Sequence, residues 1–290
     1  MGTRHLVVAT VLMCALTACS SGSGDEPPAA TGTPAATPTA TIQAPAAGAS
    51  YLALGDSYTA GPGIGDDQAD SGFCQRSTAN WPSLVAAAND LDLTDLSCVG
   101  ATTADLAGTL ATGVLDADPQ YVTVSTGGND SALFSSLISA CAGGNGACSS
   151  FVEGQVPDIL AQTTKDVAAL LTEVRAAVPD AQLLLVGYPR IAPEQGTCEA
   201  IGIPDSGPVL AAETALDAAL GTAAADADVP YVSLRAASLG HDACSGSKAW
   251  TNGRTAAAGD GITFHPTARG MKAVARLVTK AATAAGQPAG

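Results

Sequence analysis

The sequence predicts an α/β fold, a three-layer α/β/α sandwich around a central, mostly parallel sheet of five strands. Apolar strand-like runs alternate along the chain with Ala- and Leu-rich segments of helical character, as in a parallel sheet covered by helices on both faces. Some runs, such as QLLLV at 182–186, are apolar throughout, which is typical of strands buried on both faces. The chain is also long enough for one such domain with a sizeable core.

Five short runs have the composition of strands. The first is apolar up to Leu54 and stops at a Gly-Asp-Ser turn, and the third, YVTVS, is rich in β-branched residues and lies between Pro119 and Gly127. In chain order, the predicted strands are 50–54, 91–98, 121–125, 182–186 and 230–234.

Six segments have the composition of helices. Asn80 is the expected N-cap of the first, with Pro82 in its first turn. The last has an apolar stripe that includes Met271, Val274 and Val278. In chain order, the predicted helices are 81–89, 103–112, 131–140, 157–178, 209–225 and 267–284.

Two segments are predicted to precede the folded domain, which we place at residues 50–290. Residues 1–19 combine a basic start with an apolar stretch and small residues, which predicts a secretory signal too short to be a stable membrane span. The signal ends in LTAC, which resembles a bacterial lipobox and predicts lipidation of Cys19; the alternative is an ordinary signal with an incidental cysteine. Residues 20–49 are nearly all Ser, Gly, Pro, Ala and Thr, which predicts a disordered tether.

These two segments predict where the protein works. We expect it to be exported and held at the cell surface through a lipid anchor at Cys19, or to be secreted if the lipobox is not used. The tether would hold the folded domain away from the membrane surface. The sequence does not predict the oligomeric state.

The formal net charge of −15 argues against nucleic acid as a partner, because phosphate binding needs a basic face. Four basic residues nevertheless share one side of the last predicted helix, at spacings of three and four. We interpret them as a solvated helix face, with contact to an anionic surface as the alternative. They are Arg269, Lys272, Arg276 and Lys280.

Eight cysteines occur in the chain, two of them in the signal segment. An even number in the rest of an exported chain predicts disulfides. Six cysteines allow 15 pairings, and we expect the sequential one because short loops close most readily. The expected pairs are Cys74–Cys98, Cys141–Cys148 and Cys198–Cys244. No CxxC pair occurs and only two histidines follow the signal, which argues against a zinc site.

Three loops that follow predicted strands are rich in glycine and polar residues. They are Gly-Asp-Ser at 55–57, Val-Gly-Ala-Thr at 99–102 and Gly-Gly-Asn-Asp at 127–130. Since ligands bind at the carboxyl ends of parallel strands, we expect all three loops at one edge of the sheet. Their backbone N–H groups would suit an oxyanion, and Ser57 is a candidate nucleophile.

A serine nucleophile needs a base, which is usually histidine. After the signal, the chain offers His241, in a loop beside Cys244, and His265, just before the last predicted helix. Pro266 would stiffen the chain after His265 and hold its imidazole in place. The residues alone leave both histidines open.

Four blocks occur in order: GDS with Ser57, CVGATT with Gly100, GGND with Asn129 and FHP with His265. In this order, at strand ends of an α/β pattern, they resemble the GDSL/SGNH hydrolase family of esterases and lipases. The CQRSTANWP stretch at 74–82 and the cysteine layout resemble a secreted bacterial branch of that family. The resemblance covers most of the predicted domain and implies the SGNH-hydrolase, flavodoxin-like fold.

The resemblance also assigns roles. It implies that Ser57 attacks an ester carbonyl and that His265 takes and returns the proton. The oxyanion hole would consist of the Ser57 and Gly100 N–H groups and the Asn129 side-chain amide.

One position departs from the family pattern. The family places a carboxylate three residues before the histidine, where this chain has Ile262. Asp260, five residues before His265, could reach its Nδ1 across the Gly261 turn. The alternative orienting group is a main-chain carbonyl.

The leading hypothesis is therefore a surface-tethered hydrolase of carboxylic esters, acting on lipids or short-chain acyl esters through an acyl-enzyme at Ser57, with no cofactor and no metal. A carbohydrate O-deacetylase is the second hypothesis, but aromatic residues are only 4% of the chain, with Trp81 and Trp250 as the obvious ring platforms. A binding lipoprotein without catalysis is the third, and the intact Ser57, Asn129 and His265 argue against it.

Overall fold

The computed structural model describes residues 45–142, 146–195 and 197–284 of the 290-residue chain. The predicted signal, the lipidation site at Cys19 and the tether up to residue 44 lie outside the described residues. Just before the predicted domain start at residue 50, Ala49 is buried and the Gly48 N–H donates to the Asp90 carbonyl oxygen at 2.6 Å. Among the described helices, none is long and apolar enough to cross a bilayer.

The five strands form one sheet in the order β2-β1-β3-β4-β5, and every neighbouring pair is parallel. The strands are β1 Ser50–Gly55, β2 Asp92–Asp95, β3 Tyr121–Ser125, β4 Gln182–Val186 and β5 Tyr231–Val232. Gly55 at the end of β1 lies opposite Ser125 at the end of β3. The loops that follow these strands therefore begin side by side.

Helices cover both faces of the sheet. They are α1 Ser57–Ala60, α2 Trp81–Asn89, α3 Thr103–Leu110, α4 Leu133–Ala142, α5 Ala147–Gly154, α6 Val156–Ala177, α7 Gly207–Asp226 and α8 Ala268–Ala284. Successive residues of β1 belong to two different apolar clusters, because side chains alternate between the faces of a strand. One cluster includes α3, α6 and α7, and the other includes α2 and α8. The predicted α/β/α sandwich is confirmed.

The outer strands differ from their predicted lengths. β2 was expected over 91–98 and covers Asp92–Asp95, and β5 was expected over 230–234 and covers Tyr231–Val232. Each outer strand pairs with the sheet on one side only. Residues 92 and 94 of β2 are also exposed, so burial of apolar side chains does not stabilise a longer strand here.

The helical prediction over 131–140 also needs correction. The chain makes a tight turn at Asp130–Ala132, with Ser131 at φ +49°, and α4 begins only at Leu133. The helix α5, which starts one residue before Cys148, was not predicted from the sequence.

Three disulfides have the sequential pairing. Cys74–Cys98 ties the segment before α2 to the segment after β2, and Cys141–Cys148 ties α4 to α5. Cys198–Cys244 joins the segments that follow β4 and β5. Two of the bridges thus connect loops at the carboxyl edge of the sheet.

Candidate active site

The Gly-Asp-Ser tripeptide forms the turn that ends β1 and starts the one-turn helix α1. Asp56 is the N-cap: its Oδ1 accepts the Tyr58 N–H at 2.8 Å. A Cβ on Gly55 would lie 2.2 Å from the Thr59 hydroxyl oxygen, so only glycine fits there. This tight turn places Ser57 at the carboxyl edge of the sheet.

Ser57 and His265 are in direct contact. His265 Nε2 lies 2.8 Å from Ser57 Oγ, and its Nδ1 lies 2.8 Å from the Thr263 carbonyl oxygen. A carbonyl can only accept, so the proton of the neutral ring is on Nδ1. Nε2 is then the acceptor for the serine hydroxyl, as a general base requires.

The backbone that carries His265 is held in an unusual conformation. Phe264 has φ +60°, which residues with a side chain seldom adopt. Its N–H donates to the Gly253 carbonyl at 2.9 Å, and its own carbonyl accepts the Tyr58 hydroxyl at 2.5 Å. The Tyr58 ring also lies against the imidazole, at 5.1 Å between centroids. Hydrogen bonds on both sides of Phe264 therefore stabilise the strained turn that positions His265.

Asp260 does not contact His265 Nδ1, where the Thr263 carbonyl lies instead. The Asp260 carboxylate accepts the Ala268 N–H at 2.7 Å, and its main-chain carbonyl accepts from the Asn252 amide at 2.7 Å. Asp260 thus satisfies a free N–H at the start of α8. Of the two alternatives from the sequence, the structure contains the main-chain carbonyl.

Asn129 and Gly100 lie on neighbouring loops. The Asn129 amide nitrogen donates to the Ala101 carbonyl at 3.0 Å, which brings this side chain beside Gly100. An amide nitrogen carries two protons, so a second N–H remains for a substrate. Gly100 has φ +80°, and a Cβ there would have no protein atom within 4 Å. Backbone conformation therefore requires glycine at this position, and the space beside it is open.

A buried carboxylate joins these two loops. Asp130 accepts the Thr103 N–H through Oδ1 and the Thr103 hydroxyl through Oδ2, both at 2.8 Å. Asp130 is 9% exposed. Hydrogen bonds that a buried carboxylate accepts are strong. They hold the loop of Asn129 against the loop of Gly100.

One tyrosine hydroxyl joins the Asn129 loop to the Ser57 turn. Tyr188, after β4, donates to Asp56 Oδ2 at 2.6 Å and accepts the Gly128 N–H at 3.0 Å. Burial raises the pKa of Asp56 to about 7, although the hydrogen bonds from Tyr188 and Tyr58 act in the opposite direction. Four of the loops at this edge are thus connected through Asp56, Tyr188 and Asp130.

The predicted residues Ser57, His265, Gly100 and Asn129 therefore meet at one edge of the sheet, and Asp260 lies apart from the imidazole. Tyr188 and the role of Asp130 were not predicted from the sequence. The available signal for Tyr188 was its position two residues after a buried strand. The available signal for Asp130 was its place in the Gly-Gly-Asn-Asp block.

The other histidine is engaged elsewhere. His241 stacks on Trp250 at 4.6 Å between ring centroids, and its Nδ1 lies 2.7 Å from the Lys248 carbonyl oxygen. No cluster of three or more His, Cys, Asp or Glu side chains that could hold a metal ion occurs in the part of the chain that the structure describes.

A serine with its histidine, beside amide donors at the carboxyl edge of a parallel sheet, defines a serine hydrolase as the class of protein. The model of the GDSL-like Lipase/Acylhydrolase family matches residues 53–273. The chain belongs to this family, and it is a carboxylic ester hydrolase.

Characterised relatives cover most of the chain. Lipase 2 of Streptomyces coelicolor is 35% identical over 67% of this chain and 72% of its own length. Lipase 1 of the same organism is 32% identical over 82% of this chain and 88% of its own length.

The fold is also similar to those of two solved enzymes. An extracellular lipase from Streptomyces rimosus has a TM-score of 0.71 and 29% identity, covering 80% of this chain and 99% of its own. Phospholipase A1 from Streptomyces albidoflavus has a TM-score of 0.66 and 29% identity, covering 82% of this chain and 100% of its own.

The pKa of His265 should determine how the activity depends on pH on the acid side. Burial lowers this pKa below its ordinary value, and the Thr263 carbonyl opposes the shift. Since only the neutral ring can take a proton, activity should fall as the pH falls through a pKa below about 6.5. Titration of the His265 ring protons by NMR, assigned with His241→Ala, should give the same pKa as the acid limb of kcat/KM. A midpoint above about 6.5 in both would contradict the assignment.

Tyr188→Phe tests the connection between the loops. It leaves a buried carboxylate oxygen and the Gly128 N–H unpaired, at about 1–3 kcal/mol for each. We expect a lower Tm and a kcat reduced by about ten-fold to a hundred-fold on a soluble ester, with KM nearly unchanged, because the loops are displaced.

Tyr231→Phe is the matched control. It removes a hydroxyl that donates to Asp217 Oδ1 at 2.6 Å, in the outer strand β5. It should lower the Tm while kcat stays within about two-fold. An equal loss of kcat in both variants would mean general loosening and would contradict a positioning role for Tyr188.

Proposed function

We propose that this chain hydrolyses the acyl ester bonds of lipids through a covalent acyl-enzyme at Ser57. The observation that carries the proposal is the 2.8 Å contact between Ser57 Oγ and His265 Nε2, beside two loops that offer amide donors. Relatives at 29–35% identity that are named lipase and phospholipase A1 support lipids as the substrate class.

In the first half of the reaction, Ser57 Oγ attacks the ester carbonyl carbon while its proton passes to His265 Nε2. The resulting imidazolium donates through Nδ1 to the Thr263 carbonyl oxygen. It then protonates the leaving alcohol as the C–O bond breaks, and the acyl group remains on Ser57. In the second half, His265 Nε2 takes a proton from a water molecule as the water oxygen attacks the acyl carbon. The bond between the acyl carbon and Ser57 Oγ then breaks, His265 returns the proton to Oγ, and the carboxylic acid is released.

The tetrahedral intermediates need donors for their oxyanion. We assign these to the Ser57 and Gly100 N–H groups and to the Asn129 amide. The bond from Asn129 to the Ala101 carbonyl holds the amide before substrate arrives, so little reorganisation is needed during the reaction. Loss of one such donor typically costs about 2.7–4 kcal/mol of transition-state stabilisation.

The deacetylase alternative has weaker support. The carbohydrate esterase among the structural neighbours is 17% identical and shares the fold only. We therefore place acylated sugars behind lipids.

We propose that the protein is exported and anchored through a lipid on Cys19. The basic and apolar start of the chain, the LTAC sequence at 16–19 and a structural relative described as extracellular support export. The lipid anchor rests on the LTAC sequence alone.

Ser57→Ala tests the nucleophile. A fluorophosphonate probe should label the wild-type protein and not this variant, and kcat on short esters should fall at least about 10⁴-fold, because no other group can form the acyl-enzyme. His265→Ala should cause a similar loss. His241→Ala is the matched control and should retain activity. Labelling that persists in Ser57→Ala would exclude Ser57 as the nucleophile.

A graded ester panel tests the substrate class. Phospholipid and long-chain acyl esters should be turned over with higher kcat/KM than acetylated sugars. A preference for acetylated sugars would overturn the lipid assignment and leave the serine mechanism intact.

A further inference from the structure

An exposed aromatic side chain lies on a turn that a disulfide connects to the segment of Gly100. Phe73 is 84% exposed, in the short helical turn Gly72–Cys74. Ser71 and Arg76, on either side of the turn, are buried, and the Arg76 N–H donates to the Ser71 hydroxyl. The turn is thus held from both ends while its phenyl ring projects into solvent.

This turn is attached to the loop of Gly100. Cys74 forms a disulfide with Cys98, and the Val99 N–H donates to the Cys74 carbonyl at 3.2 Å. Phe73 is therefore adjacent to Cys74, whose disulfide partner Cys98 lies two residues before Gly100. Its position relative to the proposed oxyanion loop is constrained covalently.

A second exposed apolar residue adjoins the catalytic histidine. Ile262 is 36% exposed, and its carbonyl accepts the His265 N–H at 3.2 Å. A Cβ on Gly63 would lie 3.0 Å from its Cγ2, so Ile262 packs over the segment that follows α1. It occupies the position where the family pattern has a carboxylate. The residue is apolar here, where the family's residue is charged.

Three large hydrophobic side chains are exposed in the described part of the chain, Phe73, Ile262 and Leu239. Phe73 adjoins a cysteine that is bridged to the loop of Gly100, and Ile262 is hydrogen-bonded to His265, whereas Leu239 lies 26 residues before His265. Single exposed apolar residues are ordinary. Two of them on turns that a disulfide and a hydrogen bond connect to the loops of Gly100 and His265 point to a common apolar partner.

We propose that Phe73 and Ile262 form a docking surface that inserts into a zwitterionic phospholipid surface and brings the active-site edge to its acyl esters. This inference rests on the proposed lipid substrate. Transfer of one phenyl ring out of water changes an equilibrium constant by about ten-fold or more, so two such side chains can determine whether the protein stays at a surface.

The negative charge around Phe73 favours zwitterionic over anionic headgroups. Asp66 and Asp67 are exposed in the segment that carries Phe73, as is Asp70, which forms an ion pair with Arg76 at 3.4 Å. The whole chain has a net charge of −15. Acidic side chains repel anionic headgroups, whereas zwitterionic headgroups carry no net charge. The same acidic side chains would repel each other in a dimer formed through this surface.

Leu239 provides the matched control. It is 54% exposed and follows β5, the outer strand, three positions from β1 in the sheet. At roughly 4.8 Å between strands, β5 is about 14 Å from β1. Its substitution removes similar apolar surface from the turn at 238–241, which belongs to the same connection between β5 and α8 as His265 but contains no proposed catalytic residue.

The experiment uses the full chain with Cys19→Ser in every arm, so that no attached lipid contributes. Co-sedimentation with phosphatidylcholine vesicles and hydrolysis of the vesicle lipid are compared with hydrolysis of a soluble butyrate ester. Phe73→Ser should reduce vesicle binding, and the ratio of vesicle to soluble-ester hydrolysis, by about ten-fold. Phe73→Trp should restore both, and Leu239→Ser should change both by less than about two-fold. Phosphatidylglycerol in the vesicles should weaken binding of the wild type.

Each contrary outcome has a distinct meaning. Unchanged vesicle binding in Phe73→Ser, or an equal loss in Leu239→Ser, overturns the docking surface while soluble-ester hydrolysis still supports the proposed function. A dimer in sedimentation velocity that Phe73→Ser dissociates would assign the surface to a second copy of the chain. Failure of the wild type to hydrolyse either ester would instead overturn the proposed function.

Discussion

The hydrogen bond from His265 Nδ1 to the Thr263 carbonyl is the interaction on which the site depends. It determines the tautomer of the imidazole and thereby makes Nε2 the acceptor for Ser57, 2.8 Å away. Burial lowers the pKa of the ring, and the Thr263 carbonyl opposes this shift, although a carbonyl dipole stabilises an imidazolium less than a carboxylate would. The chain therefore keeps a base that is neutral at neutral pH and that gives up its proton readily to a leaving alcohol.

The carboxylates of this edge hold the structure together. Asp56 caps α1 and binds Tyr188, Asp130 binds Thr103, and Asp260 accepts an N–H at the start of α8. Asp56 and Asp130 are buried, and burying a carboxylate is unfavourable unless donors satisfy it. Tyr188 and Thr103 supply these donors from other loops. The result is a set of Gly-rich loops whose positions are determined by polar side chains beneath them.

Features that depend on side-chain type were predictable from the sequence, whereas features that depend on main-chain atoms or on strand order were not. β1, β3 and β4 were predicted well because they are apolar and buried on both faces, whereas β2 and β5 end early at the edges of the sheet. Cysteine spacing gave the three disulfide pairs. The four family blocks marked Ser57 and His265 because side chains are visible in a sequence. The Thr263 carbonyl was not predictable, since every residue has one and only the fold selects it. The position of Tyr188 depends on the neighbouring strand order, which is likewise a property of the fold.

The most direct test of this account compares Asp260→Ala and Asp260→Asn with the wild type by kcat/KM on a soluble ester. If the carbonyl orients His265, both variants should stay within about three-fold of the wild type, and only Asp260→Ala should lower the Tm, because asparagine keeps an acceptor for the Ala268 N–H. A loss of kcat near 10⁴-fold in both, the size expected for a triad carboxylate, would show that Asp260 orients the histidine and would contradict the account.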